Sequence, residues 1–181
     1  MNAFPRNIVL VGFMGAGKTC VGRFLAERLG MTFVDMDDVI VEREGKPIPR
    51  IFADEGEPHF RLVERRLVRE LAARGGQVVG TGGGIVLDPD NIQDFSRTGL
   101  VVCLRASPRT ILERVAHDTN RPLLAGADKM AKIRDILDAR RALYDAVPCR
   151  VDTDSLTVEE VAQRIIGLYR DDEGPAPTNR S

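Results

Sequence analysis

Short apolar runs alternate with helical patterning along most of this chain. Strands are predicted at Ile8–Gly12, Thr32–Asp35, Gln77–Gly80, Leu100–Arg105 and Arg150–Asp152, each brief and mostly rich in valine or leucine. Between them apolar residues recur at helical spacing. Val21, Phe24, Leu25 and Leu29 share one face of a helix from Lys18 to Leu29, with Gly30 as its stop. Val158, Val161, Ile165 and Leu168 stripe a final helix that begins near Thr157, where "TVEE" supplies a capping box closed by Glu160. Strands and helices in alternation predict an α/β fold, a parallel sheet with helices on both faces.

Two stretches exceed a minimal alternation. Residues 38–74 are helical in pattern but long for one crossover, and residues 117–129 contain "NRPLLAGADK", with no periodicity. Insertions of this kind in a nucleotide-binding sheet usually carry function. The first reads as a substrate-binding helical excursion and the second as a lid. The end, "DDEGPAPTNRS" from residue 171 to 181, is polar and proline-containing and reads as a disordered tail after a single domain of residues 1–170.

Composition narrows the function classes. A chain of 181 residues with 43% apolar residues can bury one real core. Its net charge of −1 offers no global attraction to nucleic acid or to an anionic membrane. Three cysteines, Cys20, Cys103 and Cys149, lack metal or redox spacing and fit a reducing compartment. The apolar runs are strand-sized, and "MNAFPRN" lacks a secretory h-region, so a cytoplasmic protein is expected.

Candidate chemistry starts at "GFMGAGKT", Gly12 to Thr19, between a strand and a helix. This is the phosphate-loop pattern, with glycines that let backbone N–H groups converge on phosphate oxygens. Gly15, Ala16, Gly17, Lys18, Thr19 and Cys20 are expected to wrap the phosphates of ATP. Lys18 should reach the β- and γ-phosphates, and the Thr19 hydroxyl should ligate Mg²⁺.

"FVDMDD" ends the second strand. Strand alternation would point Asp35 and Asp37 to the same side, where one carboxylate could serve Mg²⁺ and the other an acceptor hydroxyl. Equally, Asp37 or Asp38 could simply cap the next helix; Asp38 is assigned to that cap. In "GEPHFRLVERR", Phe60, Val63 and Leu67 can pack inward while Arg61, Glu64 and Arg65 share another face. An arginine held by a carboxylate is a good clamp for an anionic acceptor, although the same pattern describes a solvated charged face. Gly82, Gly83 and Gly84 follow a strand directly, which suggests backbone approaching a ligand closely. Arg121 in the expected lid could close over the transferring phosphoryl group. Arg140 and Arg141 stand together in "ARRALY", and the pattern alone does not choose between them.

Taken in order, "GFMGAGKT", "VDMD", "GEPHFR", "GTGGG", "NRPLLAG" and "RRALY" closely resemble the shikimate kinases, from about residue 7 to 170. The resemblance implies a nucleoside monophosphate kinase-like fold, a five-stranded parallel sheet of order 2-3-1-4-5 with a shikimate-binding excursion and a lid. It implies transfer of the γ-phosphoryl of ATP to the 3-hydroxyl of shikimate, in aromatic amino acid biosynthesis, by a monomer. It places Asp35 near Mg²⁺ through water and Asp37 on the shikimate hydroxyls as a candidate base. Arg61, oriented by Glu64, and Arg140 grip the shikimate carboxylate. Gly83 gives a backbone contact to shikimate, Arg121 touches the ATP phosphates, and Arg114 stacks on adenine. Ala142 stands where the family usually has proline. Rival readings are a gluconate kinase of the same fold and a regulatory nucleotide switch. The switch lacks an N-K-x-D guanine reader, and the acidic end of "IVLD" at Asp88 precedes a proline and reads as a helix start.

Overall fold

The structure, a computed structural model, describes residues 5–116 and 128–172. Five parallel strands, β1 (Asn7–Val11), β2 (Thr32–Asp35), β3 (Gln77–Gly80), β4 (Gly99–Arg105) and β5 (Cys149–Asp152), stand in the order β2-β3-β1-β4-β5. This is the expected sheet, with strand ends moved by one residue at β1, β4 and β5. β1 is buried throughout and pairs through Val9 with Val79 of β3 and Val101 of β4. The two-residue period of a strand divides its side chains between two cores. Ile8 and Leu10 face α1 (Lys18–Leu29) and α8 (Val158–Asp172). Val9 and Val11 face the opposite layer.

That opposite layer holds most of the remaining helices. They are α2 (Met36–Glu44), α3 (Ile48–Asp54), α4 (Gly56–Ala72), α5 (Pro89–Thr98), α6 (Pro108–Val115) and α7 (Lys129–Asp145). The expected excursion is therefore three helices, α2 to α4. α1 has the bounds its pattern predicts, but its buried face is centred on Val21, Gly22, Leu25 and Ala26, and Phe24 and Leu29 sit at its margin. In α8 the buried stripe is Val161, Ala162, Ile165 and Tyr169, while Val158 is exposed. Both helices approach the sheet with a slight rotation that small residues permit.

The capping box forms: the Thr157 hydroxyl accepts from the Glu160 N–H at 3.2 Å, and the Glu160 carboxylate accepts from the Thr157 N–H at 2.7 Å. α8 continues to Asp172, two residues past the expected domain end, and the Asp172 carboxylate pairs with Arg6. The rest of the expected tail lies outside the described residues. Asp88 caps α5 ahead of Pro89, as its pattern predicts.

Asp38 does not cap α2. Asp35 does, accepting the Asp37 N–H at 3.1 Å. The chain leaves strand geometry right after Asp35, so Asp37 lies in the first helical turn. Strand alternation therefore does not relate the two carboxylates; the capping turn does. The expected lid and Arg121 lie outside the described residues, except that Asp128 caps α7 and Lys129 begins it.

Asn7 is wholly buried at the start of β1 and joins three elements. Its amide donates to the carbonyls of Leu71 and Arg74 at the end of α4, at 3.3 and 2.6 Å, and its oxygen accepts from the Gln77 N–H at 3.0 Å. Removing the amide strands several buried backbone groups, each worth about 1–3 kcal/mol. Asn7→Ala is expected to lower unfolding stability by roughly 2–4 kcal/mol in urea denaturation, with the denaturant slope unchanged.

Candidate active site

The strand order reverses direction around β1, and the loops at the carboxyl ends of β1, β2 and β3 meet there. The β1 loop must turn sharply to enter α1. Gly12 has φ 138°, and a Cβ on it would lie 2.3 Å from the Leu104 carbonyl oxygen, so only glycine fits. A cleft of about 470 Å³ follows this loop from Met14 to Cys20 and is also lined by Asp35, Asp37, Gly83 and Arg114. The residues expected to contact nucleotide and metal, Arg121 aside, thus share one cavity with Asp37.

Lys18 extends along the loop, its ammonium donating to the carbonyls of Gly12 and Phe13 at 2.8 and 3.0 Å. The Thr19 hydroxyl donates to the Asp35 carboxylate at 3.1 Å. A hydroxyl and a carboxylate side by side at the start of α1 are hard oxygen donors of the kind Mg²⁺ accepts. Arg114 of α6 donates to the carbonyls of Gly15 and Ala16 at 3.2 and 3.3 Å and to the Thr153 carbonyl at 2.8 Å. It therefore joins the phosphate loop to the end of β5. Thr153, also hydrogen-bonded to the loop through its hydroxyl, has no place in the sequence motifs. Its position just past a strand end was the only available signal.

The glycine turn after β3 is where the remaining groups converge. A Cβ at Gly82 would come within 3.0 Å of an Asp37 carboxylate oxygen and 3.4 Å of one from Glu64, and at Gly84 within 2.5 Å of the Arg61 guanidinium. From the opposite side, Arg140 and Tyr144 of α7 donate to the Gly83 carbonyl at 3.1 and 2.8 Å. Arg61 and Arg140 thus reach neighbouring residues of one turn from two distant helices. Arg61 also borders a separate hollow of about 400 Å³ beside Leu87 and Asn91.

Arg61 is pinned by carboxylates, at 2.7 Å from Glu64 and 3.0 Å from Glu57, and its guanidinium lies over the Phe60 ring. Glu64 does not share a solvated face with Arg61 and Arg65, because its side chain is only 2% exposed. Burial pushes its carboxyl above the usual carboxylate range. Arg61 pulls the other way, and nearby Asp37 adds to the rise. For Arg61, burial works against the charge, but Glu64 and Glu57 outweigh it and hold the guanidinium's affinity for its proton above normal. Arg65 serves the scaffold instead, pairing with Asp94 of α5 at 2.7 Å. The two adjacent arginines of α7 separate in the same way. Arg140 addresses the glycine turn, while Arg141 is exposed, paired with Asp138, and borders a different hollow between β4 and α7.

Tyr144 is a site residue that pattern reading quoted without giving it a task. Burial raises its hydroxyl above the ordinary tyrosine range, against the pull of Arg140. Cys103 is buried, which pushes its thiol up to about 11 and leaves it unreactive, whereas Cys20 is exposed in the cleft. No described helix is long and apolar enough to cross a membrane.

Comparison with known proteins agrees with this arrangement. The family model described as shikimate kinase matches residues 14–170. A shikimate kinase of Thermodesulfovibrio yellowstonii is 43% identical over 164 residues, covering 91% of this chain and 95% of that protein. A solved shikimate kinase from Acinetobacter baumannii, in complex with shikimate, superimposes with a TM-score of 0.88 at 40% identity, covering 94% of this chain and 96% of the other. A gluconokinase from Sinorhizobium meliloti, at 22% identity and a TM-score of 0.60 with 95% and 96% covered, shares the fold alone. With a family match across nearly all of the described fold and a phosphate loop facing its carboxylates, the chain belongs to the shikimate kinase family and is an ATP-dependent small-molecule kinase.

Proposed function

We propose that this protein transfers the γ-phosphoryl of ATP to the 3-hydroxyl of shikimate, giving ADP and shikimate 3-phosphate. The observation that supports the reading is the convergence of Arg61 and Arg140 on the glycine turn, whose Gly83 lines the phosphate-loop cleft together with Asp37. Two guanidiniums suit one carboxylate, because their planar forks of N–H donors match its oxygens and a neutral polyol offers no such charge-assisted contact.

In this mechanism the backbone from Gly15 to Cys20 cradles the ATP phosphates, and Lys18 exchanges its loop carbonyls for phosphate oxygens. Thr19 as a ligand, and Asp35 as the partner of a ligating water, would hold Mg²⁺, which would neutralise charge on the phosphates. Arg114 flanks the adenine side of the loop, and Arg121, by its place in the "NRPLLAG" motif, is assigned to the phosphates. Arg61 and Arg140 grip the acceptor carboxylate, and the Gly83 backbone borders the ring. Asp37 accepts the hydrogen bond, then the proton, of the attacking hydroxyl as the new O–P bond forms and the bond to the ADP leaving oxygen breaks. The working unit is taken to be a monomer, and the three free thiols suit the cytoplasm.

The deciding assay measures ADP release with shikimate, with gluconate and with no acid. Shikimate-dependent release supports the reading, and gluconate-dependent or acid-independent release overturns it. Arg61→Ala is expected to raise the KM for shikimate about tenfold or more while ATP affinity holds, because a charge-assisted contact is lost. Gly84→Ala should copy that KM effect without touching any charge, since its methyl would occupy the space of the Arg61 guanidinium; an unchanged shikimate KM would contradict it. Asp37→Asn is expected to lower kcat by about 10²–10⁴ with little change in ATP affinity, as steady-state kinetics would read.

A further inference from the structure

Away from the nucleotide, the ends of three helices meet at a histidine. Glu44 is the last residue of α2, Glu55 lies between α3 and α4, and His59 is in the first turn of α4. The His59 Nε2 atom faces an oxygen of Glu44 at 3.1 Å and one of Glu55 at 3.6 Å. All three donor atoms lie within 4.8 Å of one another, and among the described residues no other trio of His, Cys, Asp or Glu donors is grouped in this way.

We propose that Glu44, Glu55 and His59 bind a divalent first-row transition metal, with zinc as the representative ion. Metal–ligand bonds of about 2.0–2.2 Å at tetrahedral angles place neighbouring donor atoms about 3.4 Å apart. The separations of 3.1 and 3.6 Å straddle that value, so small side-chain shifts suffice to seat an ion. The two oxygens of Glu55 divide their work. Lys46 pairs with Oε1 at 2.9 Å, while Oε2 is the oxygen that faces His59. Lys46 thus engages the other oxygen of Glu55 from the one offered to the ion. Two carboxylates supply negative charge for a dication, partly offset by Lys46 on Glu55. The side chains are between 21% and 39% exposed, which lets water complete the coordination. An imidazole nitrogen in the set selects zinc-class ions over the Mg²⁺ of phosphoryl transfer, which prefers oxygen alone.

An ion here cross-links α2, α3 and α4. Asp37 stands at the opposite end of α2, and Arg61 is two residues beyond His59. Metal occupancy would thus stiffen the excursion that presents both groups, independently of which acid the kinase accepts.

The test is a calorimetric titration of the full chain with zinc chloride, without nucleotide or magnesium, alongside NMR of the imidazole resonances. One equivalent of zinc is expected to bind wild type and to shift the His59 ring signals. His59→Gln and Glu44→Gln are each expected to weaken that binding by more than the about 10–100-fold an outer-shell change causes. Wild type without saturable binding, variants that bind as tightly as wild type, or zinc binding that leaves the His59 ring signals unmoved would each overturn the proposal. The ring signals are read on wild type, so the outcome stands even if a variant fails to fold.

Discussion

The candidate site depends on a turn that has no side chains. Gly82, Gly83 and Gly84 leave β3 into the space where Asp37, Glu64 and Arg61 arrive from the excursion and Arg140 and Tyr144 arrive from α7. A methyl group on Gly84 would overlap a guanidinium, and one on Gly82 would press against a carboxylate. The bare backbone also supplies an acceptor, the Gly83 carbonyl, which two α7 side chains share. Close packing around a turn with no side-chain bulk is what brings groups from distant parts of the chain within reach of the phosphate loop.

Burial sorts the charges around that turn. Glu64 is sequestered and paired, so it fixes Arg61 in a way an exposed partner could not. Removing Arg61 would leave the buried Glu64 carboxylate without its counter-ion, whereas Arg61 would keep Glu57 if Glu64 were lost. By contrast, Arg141 and Asp138 form an exposed pair on α7, of the kind that adds little to stability. Arg65 and Asp94 lie between these cases and tie α4 to α5. The excursion is thus anchored on one side to the scaffold and offers Arg61 on the other. At its far end Glu44, Glu55 and His59 draw the same three helices together.

The nucleotide side is organised by backbone more than by side chains. Arg114 reaches from α6 to two loop carbonyls and to Thr153, so the loop, α6 and the end of β5 hold one another in place. A phosphate loop braced from outside meets its ligand with little left to order, which favours both binding and alignment.

Sequence pattern alone determined the alternation of strands and helices, the bounds of α1, the Thr157–Glu160 cap and the phosphate loop. Each rests on neighbours in the chain: hydrophobic period, a capping side chain three residues away, glycines at fixed offsets. The site residues were legible as motifs, and Glu64 was rightly paired with Arg61. Their placement was not legible. Which aspartate capped α2 depended on where β2 gave way to helix, and which of Arg140 and Arg141 faced the turn and that Glu64 was buried depended on helix rotation, set by packing against distant elements. The contributions of Tyr144 and Thr153 had no local signature either. Each acts through a partner dozens of residues or more away in sequence or across the site, and only the folded chain brings such pairs into contact.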